Sequence, residues 1–170
     1  MKKKTLLLFV LPIMLFSCKD AIDELSNIGT FKSTISGDVT EQFDGEAGFV
    51  HTLTVDATPK GSSLIIALSK VSDKNTAIGL SLIEDATDGI AVGSYSISSS
   101  SSGTAFIPVF TKDNVVYSLP DLTKTNNITI SSVENLRVKG SFEVNLIEPT
   151  TQKAVKIVGT FDSVGITENK

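Results

Sequence analysis

The chain has 170 residues, with 15 basic and 19 acidic residues for a net charge of −4, and it contains one cysteine and one histidine. This acidic balance argues against a broad basic face for nucleic acid or anionic lipid. A single cysteine excludes an internal disulfide, and the scarcity of histidine and cysteine leaves zinc sites without a ligand cluster.

The first 17 residues have the composition of a secretory signal. Lys2, Lys3 and Lys4 form a positive start, and the apolar run Leu6 to Phe16 follows. A membrane-spanning helix needs roughly 20 apolar residues, so this run is too short to be one. We therefore expect a signal peptide over residues 1–17.

The end of the apolar run determines what kind of signal it is. Leu15-Phe16-Ser17-Cys18 resembles the lipobox of bacterial lipoproteins, in which an apolar residue and a small residue precede the cysteine. The resemblance implies that Cys18 carries diacylglycerol in thioether linkage and becomes the acylated amino terminus after cleavage. Several acyl chains on one terminus anchor a protein stably to a membrane. The alternative is a plain signal peptide with an incidental cysteine.

Residues 18–28 form an acidic tether behind the cysteine. Lys19 followed by Asp20, Asp23 and Glu24 resembles the export signal of surface-exposed lipoproteins in Bacteroidota-type bacteria, which implies the outer membrane as location. The alternative is a solvated linker that happens to be acidic. A flexible chain of this length reaches about 20 Å from the bilayer. Without the signal, the 15 basic residues fall to 12 against 19 acidic ones, a net charge of −7.

The remaining chain alternates apolar and polar residues with the period of a β-strand. Between Arg137 and Leu146, the residues Val138, Phe142 and Val144 point one way, and lysine, serine, glutamate and Asn145 point the other. The same alternation predicts strands over 31–39, 49–55, 64–69, 78–83, 92–97, 105–110, 115–119, 128–133 and 155–164. We therefore expect one all-β domain over residues 29–165, followed by a short tail, 166–170.

Turn residues separate these predicted strands. Asp44-Gly45, Asp88-Gly89 and Asp113-Asn114 suit tight turns, Pro59-Lys60-Gly61 supplies proline at the start of another, and Pro149 opens the last bend. Neighbouring strands should therefore pair antiparallel. About ten strands predict an antiparallel β-sandwich or a closed meander barrel, and alternation does not separate the two, since both bury one face of each strand.

Short glycine-aromatic motifs recur in the predicted strands. Gly93-Ser94-Tyr95, Ile128-Thr129-Ile130, Gly140-Ser141-Phe142 and Gly159-Thr160-Phe161 resemble, in this order, uncharacterised all-β lipoprotein domains of the same bacteria. The resemblance implies an all-β fold and a lipid anchor, and no activity. In such strands, each glycine should let an aromatic ring lie across the bare backbone or mark a bulge.

Residues with catalytic chemistry are scarce. His51 shares the parity of Phe49 and Leu53, which favours a neutral core histidine over a catalytic base. The run Ser98 to Ser102 indicates a flexible loop rather than a nucleophile, because no base and acid are placed to activate a serine. The sequence also contains no glycine-rich phosphate loop. We therefore predict no catalytic residue and no cofactor.

Two acidic groupings are candidates for calcium. Glu84, Asp85 and Asp88 precede a glycine, and Asp44 and Glu46 flank another, but neither grouping has the alternating spacing of a calcium loop. We therefore interpret both as turns and predict no metal site. Two carboxylates could also serve a glycosidase, although the chain has no tryptophan and only two tyrosines on which sugar rings could stack.

Three functional hypotheses follow. The first is a non-enzymatic, surface-anchored domain that binds an extracellular protein or small apolar ligand, or that acts as an accessory subunit in an outer-membrane assembly. The second is a barrel that carries an apolar ligand in a cavity lined by Phe106, Phe110 and Phe142. The third is a glycan hydrolase that uses carboxylates alone. The first needs the least special chemistry and is our expectation, with the lipid on Cys18 as the membrane contact.

Overall fold

The computed structural model describes residues 29–54, 61–84, 90–97, 104–134 and 136–165, with the backbone only for 49–54. These residues form one antiparallel sheet of eleven strands. Within these ranges no helix is long and apolar enough to cross a membrane. The strands are β1 (Gly29–Gly37), β2 (Glu41–Thr54), β3 (Gly61–Lys70), β4 (Asp73–Glu84), β5 (Gly93–Ser96), β6 (Thr104–Lys112), β7 (Val115–Tyr117), β8 (Leu119–Pro120), β9 (Asn127–Glu134), β10 (Arg137–Ile147) and β11 (Ala154–Gly165).

The sheet is largely a meander. Its order is β5-β9-β10-β11-β1-β2-β3-β4-β6-β7, with β8 paired to β10, and it is not closed. The first and last strands, β1 and β11, lie side by side in its middle. The last residues of β11 extend past Gly29, the first residue of β1. There β11 pairs directly with β2 in parallel, through Val164 and Gly48. The predicted all-β class is confirmed, and so is antiparallel pairing for every strand pair except β11 and β2.

Most of the residues that alternation predicts to point inward are buried in the structure. Val138, Phe142, Val144 and Leu146 are buried in β10, as are their counterparts in the other strands, in one continuous hydrophobic cluster. Asn145 differs from its prediction, because it is buried although it was expected on the wet face. Residues 121–126 cover it: its side-chain amide donates to the carbonyl of Thr125 at 2.7 Å.

Glycines and aromatic rings complement each other across β10 and β11. Gly140 pairs with Phe161, and Phe142 pairs with Gly159. A Cβ on Gly140 would lie 2.6 Å from the ring of Phe161, and one on Gly159 would lie 2.8 Å from the ring of Phe142. The register of β9 and β10 also shifts between Lys139 and Gly140, as at a bulge. The prediction that rings lie across glycine backbone is confirmed at both positions.

The turns confirm part of the prediction. Asp113 and Asn114 have positive φ of 49° and 66°, which suits the hairpin between β6 and β7, and Pro149 lies between β10 and β11. The predicted turns at Pro59 and at Asp88-Gly89 include residues outside the described ones.

The turn predicted at Asp44-Gly45 is wrong, because both residues lie inside β2. Gly45 pairs with Phe31 and is pressed against the neighbouring strand, since a Cβ there would meet the carbonyl of Ser69. The chain turns earlier, after Gly37, whose φ is +111°. The strand predicted to reach Val39 therefore ends at Gly37.

The sheet folds over so that its inner face is enclosed. The ammonium of Lys112, at the end of β6, contacts both carboxylate oxygens of Glu41, at the start of β2, at 3.0 and 2.8 Å. β6 also approaches β5 and β10 without pairing with them. Two outer faces result, one over β9, β10, β11, β1 and the first part of β2, and another over β3, β4, β6 and β7.

Candidate functional site

Several sequence-predicted site residues lie outside the described part of the chain, as does the run Ser98 to Ser102. Cys18, Asp85 and Asp88 fall outside it, as does the side chain of His51, whose backbone pairs with Leu64 in β2. Glu84 is described, at the end of β4. The apolar-ligand hypothesis concerns the interior, where Phe106, Phe110 and Phe142 are packed in the core cluster.

The acidic pair Asp44 and Glu46 lies on the outer face of β2, one on each side of Gly45. Both carboxylates belong to an extended strand rather than a loop, so the proposed turn does not gather their oxygens. Among the described residues, no three histidine, cysteine, aspartate or glutamate side chains are placed to hold a metal ion.

The structure instead reveals a groove on the outer face of five adjacent strands. Its volume is about 390 Å³. Two rows of outward side chains run across the sheet, each with one residue from β9, β10, β11, β1 and β2 in turn. The first row is Thr129, Ser141, Thr160, Lys32 and Asp44, and the second is Asn127, Glu143, Val158, Thr34 and Gln42. All of these residues except Asp44 line the groove.

The groove presents hydroxyl and amide groups held in place by the sheet. Thr34 donates its hydroxyl to the side-chain oxygen of Gln42 at 3.1 Å. At the other end of the rows, the hydroxyls of Ser94 and Thr129 lie 2.5 Å apart. These hydrogen bonds orient the side chains of Thr34 and Gln42 at one end of the rows and of Ser94 and Thr129 at the other.

The groove contains one carboxylate and one ammonium. Glu143 contacts Lys156 at 2.8 Å. Within the described part of the chain, Lys32 forms no ion pair. Among the described residues that line the groove, Glu143 is the one acidic side chain.

The floor of the groove is closely packed. Beneath the polar rows lie Gly159 and Phe142, which are packed against each other from the inner side. Ser33 is buried beside them and donates its hydroxyl to the carbonyl of Phe43 at 2.7 Å. Such a floor leaves little reorganisation to be made on binding.

A second polar grouping lies at the end of β4. Tyr95 donates its hydroxyl to the carbonyl of Ala91 at 2.7 Å, and burial, followed by the charge of Glu84, raises the pKa of Tyr95. One oxygen of Glu84 is buried without a hydrogen-bond partner among the described residues. Because the adjoining residues 85–89 are not described, no site is assigned here.

Sequence reasoning missed the groove because its residues are distant in the chain. Lys32, Thr129, Ser141 and Thr160 become neighbours only through the register of four strands. The available signal was the run of threonine, serine and asparagine at outward positions, which alternation marks as solvated without saying which strands adjoin. Compared with known proteins, the chain matches no family model, no curated protein and no solved structure.

Proposed function

We propose that this chain is a Bacteroidota-type outer-membrane lipoprotein, anchored through Cys18, whose β domain binds an extracellular protein or small polar ligand without catalysing a reaction. The groove over β9, β10, β11, β1 and β2 is the observation that carries the binding role. Its rows of hydroxyls and amides on a continuous sheet suit hydrogen bonding to a polar partner.

The chemistry of the groove supports binding rather than catalysis. A hydrolase needs an activated nucleophile or a pair of carboxylates. The described lining of the groove instead offers serine and threonine hydroxyls and a glutamate that is held by Lys156. No observation on the described residues favours the hydrolase or the apolar-ligand hypothesis.

For the architecture we propose a flattened barrel left open between β5 and β6. These strands follow each other in the chain and approach each other in space, but they exchange no ladder hydrogen bonds. A sandwich would instead separate two sheets, whereas here β2 runs continuously from one half of the sheet to the other. The groove lies on the outside of this barrel, away from its interior.

The anchor is tested by metabolic labelling with an alkynyl fatty acid. We expect the parent chain to incorporate the label and Cys18→Ser to accumulate as an unlabelled precursor, because a serine hydroxyl is not a substrate for thioether formation. Equal labelling of the two chains would end the lipoprotein proposal.

The binding role is tested with a panel of soluble polysaccharides and extracellular proteins. Ser141→Trp fills the groove, and Thr30→Trp places the same ring on the same outer face outside it. We expect a partner of the parent to bind Ser141→Trp at least about tenfold more weakly and Thr30→Trp as tightly as the parent. Equal binding by both variants would place the site elsewhere, and turnover of any panel member by the parent would contradict the non-enzymatic proposal.

A further inference from the structure

The outward side chains of β3, β4 and β6, with Val116 of β7, form what we call the apolar face. Their register joins them in rows, such as Ile65, Ser81 and Ile107 across the three strands. No charged side chain projects from the middle of this face among the described residues. The face consists of Ser63, Ile65, Ala67, Ser69, Ala77, Gly79, Ser81, Ile83, Ala105, Ile107, Val109, Thr111 and Val116.

The apolar face has a ridge and a depression. Ile65, Ile83 and Ile107 surround Ser81 and remain 48%, 45% and 49% exposed, which is unusual for three neighbouring isoleucines. The next row contains only Ala67 and Gly79 on β3 and β4, and a Cβ added to Gly79 would meet nothing within 4 Å. A ridge of large side chains therefore lies directly beside bare strand.

We propose that this face binds a second copy of the same chain, face to face, about a two-fold axis near Ser81. In such an isologous contact, the same patch meets itself, so the isoleucine ridge of one copy lies over the Ala67–Gly79 depression of the other. Two sheets packed in this way lie about 10 Å apart, as the layers of a β-sandwich do. The ridge and the depression are thus self-complementary.

The size of the face suits a weak dimer. With strands about 4.8 Å apart and residues about 3.3 Å apart, four strands of this length cover roughly 500 Å² per copy. The two copies together would bury about 1,000 Å², which is at the lower limit for a specific interface. We therefore expect association that depends on concentration, and confinement to one membrane would favour it.

Charge also directs a second copy to this face. The chain carries a net charge of −4, so two copies repel each other in general. The opposite outer face includes Lys32, Lys139, Glu143 and Lys156, which would have to be desolvated in a face-to-face contact. The apolar face imposes no such cost.

A lipid surface is the other occupant to consider. Side chains that insert into a bilayer interface are typically tryptophan, phenylalanine or tyrosine beside lysine or arginine. The outward positions of the apolar face include none of these residue types. The observations therefore favour a second copy.

Cross-linking of the full chain in the cells that express it tests the proposal. Ser81→Cys places a thiol near the proposed axis, and Ser141→Cys places one on the opposite outer face. The parent, whose only cysteine is Cys18, supplies the baseline. With a short bis-maleimide, we expect a dimer from Ser81→Cys and none above baseline from Ser141→Cys.

Two lysine variants in the Ser81→Cys chain sharpen the test. Ile65 on β3 and Val158 on β11 are both exposed in interior strands, at 48% and 43%. We expect Ile65→Lys to reduce the dimer at least about tenfold and Val158→Lys to leave it unchanged. Absence of a Ser81→Cys dimer would overturn the proposal, and protection of that thiol from an impermeant maleimide without a dimer would assign the face to a membrane or another partner.

Discussion

The two outer faces of this sheet differ although the inner face beneath both is buried. Inward positions are mostly apolar along the whole sheet, with a few buried hydroxyl residues such as Ser33 and Thr76 among them. Outward positions over β10, β11 and β1 are mostly lysine, arginine, glutamate, aspartate, serine and threonine, with the exposed Val158 among them, whereas those along the middle of β3, β4 and β6 are isoleucine, valine, alanine, glycine, serine and threonine.

The inward residues are determined by the requirements of folding, whereas the outward residues are determined by what each face contacts. Burial of the inner face stabilises the sheet in both regions and accounts for the alternation. The outward residues contribute little to that core, so their composition reflects what each face contacts. A charged and hydroxylated face suits water and polar ligands, and a neutral aliphatic face suits another apolar surface.

The largest effect should come from a charge on the inner face. Phe142→Asp places an unpaired carboxylate in the core cluster, at a cost of several kcal/mol against a typical total of about 5–15 kcal/mol. We expect no cooperative thermal transition by circular dichroism. Ser141→Asp, one residue away on the outer face, should melt within a few degrees of the parent, and a Phe142→Asp chain that does so too would show that the strand faces the other way.

A pair of glycine substitutions compares the two regions directly. In Gly159→Ala the new methyl would lie 2.7 Å from the carbonyl of Lys32 and 2.8 Å from the ring of Phe142, so we expect a loss of about 1–3 kcal/mol in the free energy of unfolding. In Gly79→Ala the methyl meets nothing within 4 Å, and we expect a gain of about 0.5–1 kcal/mol. Urea titration measures both free energies. Equal destabilisation by the two substitutions would contradict the view that Gly159 is closely packed and Gly79 is not.

An ion pair that joins the two regions should contribute less to the free energy of unfolding than the glycine packing does. Glu41 begins β2 and Lys112 ends β6, with side chains 29% and 23% exposed. The hydrogen bond from Lys112 to Glu41 is the main cause that raises the pKa of Lys112. We expect Glu41→Gln to cost about 1 kcal/mol or less in the free energy of unfolding, and less in high salt. A loss that salt does not reduce would indicate a packing role for Glu41 instead.

The smallest effect concerns acid sensitivity at one turn in each region. Glu148 accepts hydrogen bonds from Thr150 and Thr151 in the turn after β10, which lower its pKa to about 2, and Asp73 accepts from Thr76 and Asn75 at the start of β4, which lowers its pKa as well. A carboxyl with a lowered pKa stabilises the fold above its ordinary pKa, and this contribution is lost as pH falls.

The ordinary pKa of the Glu148 carboxyl is 4.5, so its stabilising contribution is lost between about pH 5 and pH 2. We therefore expect the melting temperature of Glu148→Gln to fall less over this pH range than that of the parent. Asp73→Asn should have the same effect in the other region. If the melting temperatures of the parent and of both variants fell equally with pH, neither turn would depend on its carboxylate.

Most strand positions and inward residues could be predicted from the sequence, because every second residue of a strand faces the core and is therefore usually apolar. The failures have physical reasons. Asp44-Gly45 has the composition of a turn, but Gly45 serves close packing against Phe31, and the parity of Phe43 and Ala47 was the signal for a continuous strand. Asn145 was misplaced because a distant loop covers it.

The groove and the apolar face could not be predicted, since both depend on which strands adjoin and in which register. Thr160 and Lys32 pair across β11 and β1, although they are far apart in the sequence. Ile65 and Ile107 are likewise brought into one row only by the intervening β4. Alternation identifies the outward residues, and topology alone assembles them into surfaces.

The most direct test of the proposed function is labelling of Ser141→Cys in intact cells with a membrane-impermeant maleimide. Ser141 lines the groove and is exposed on the outer face of β10. A lipoprotein displayed on the cell surface with an open groove predicts labelling of this thiol without any treatment of the membrane. Labelling only after the outer membrane has been permeabilised would contradict surface display, and no labelling even then would contradict an open groove.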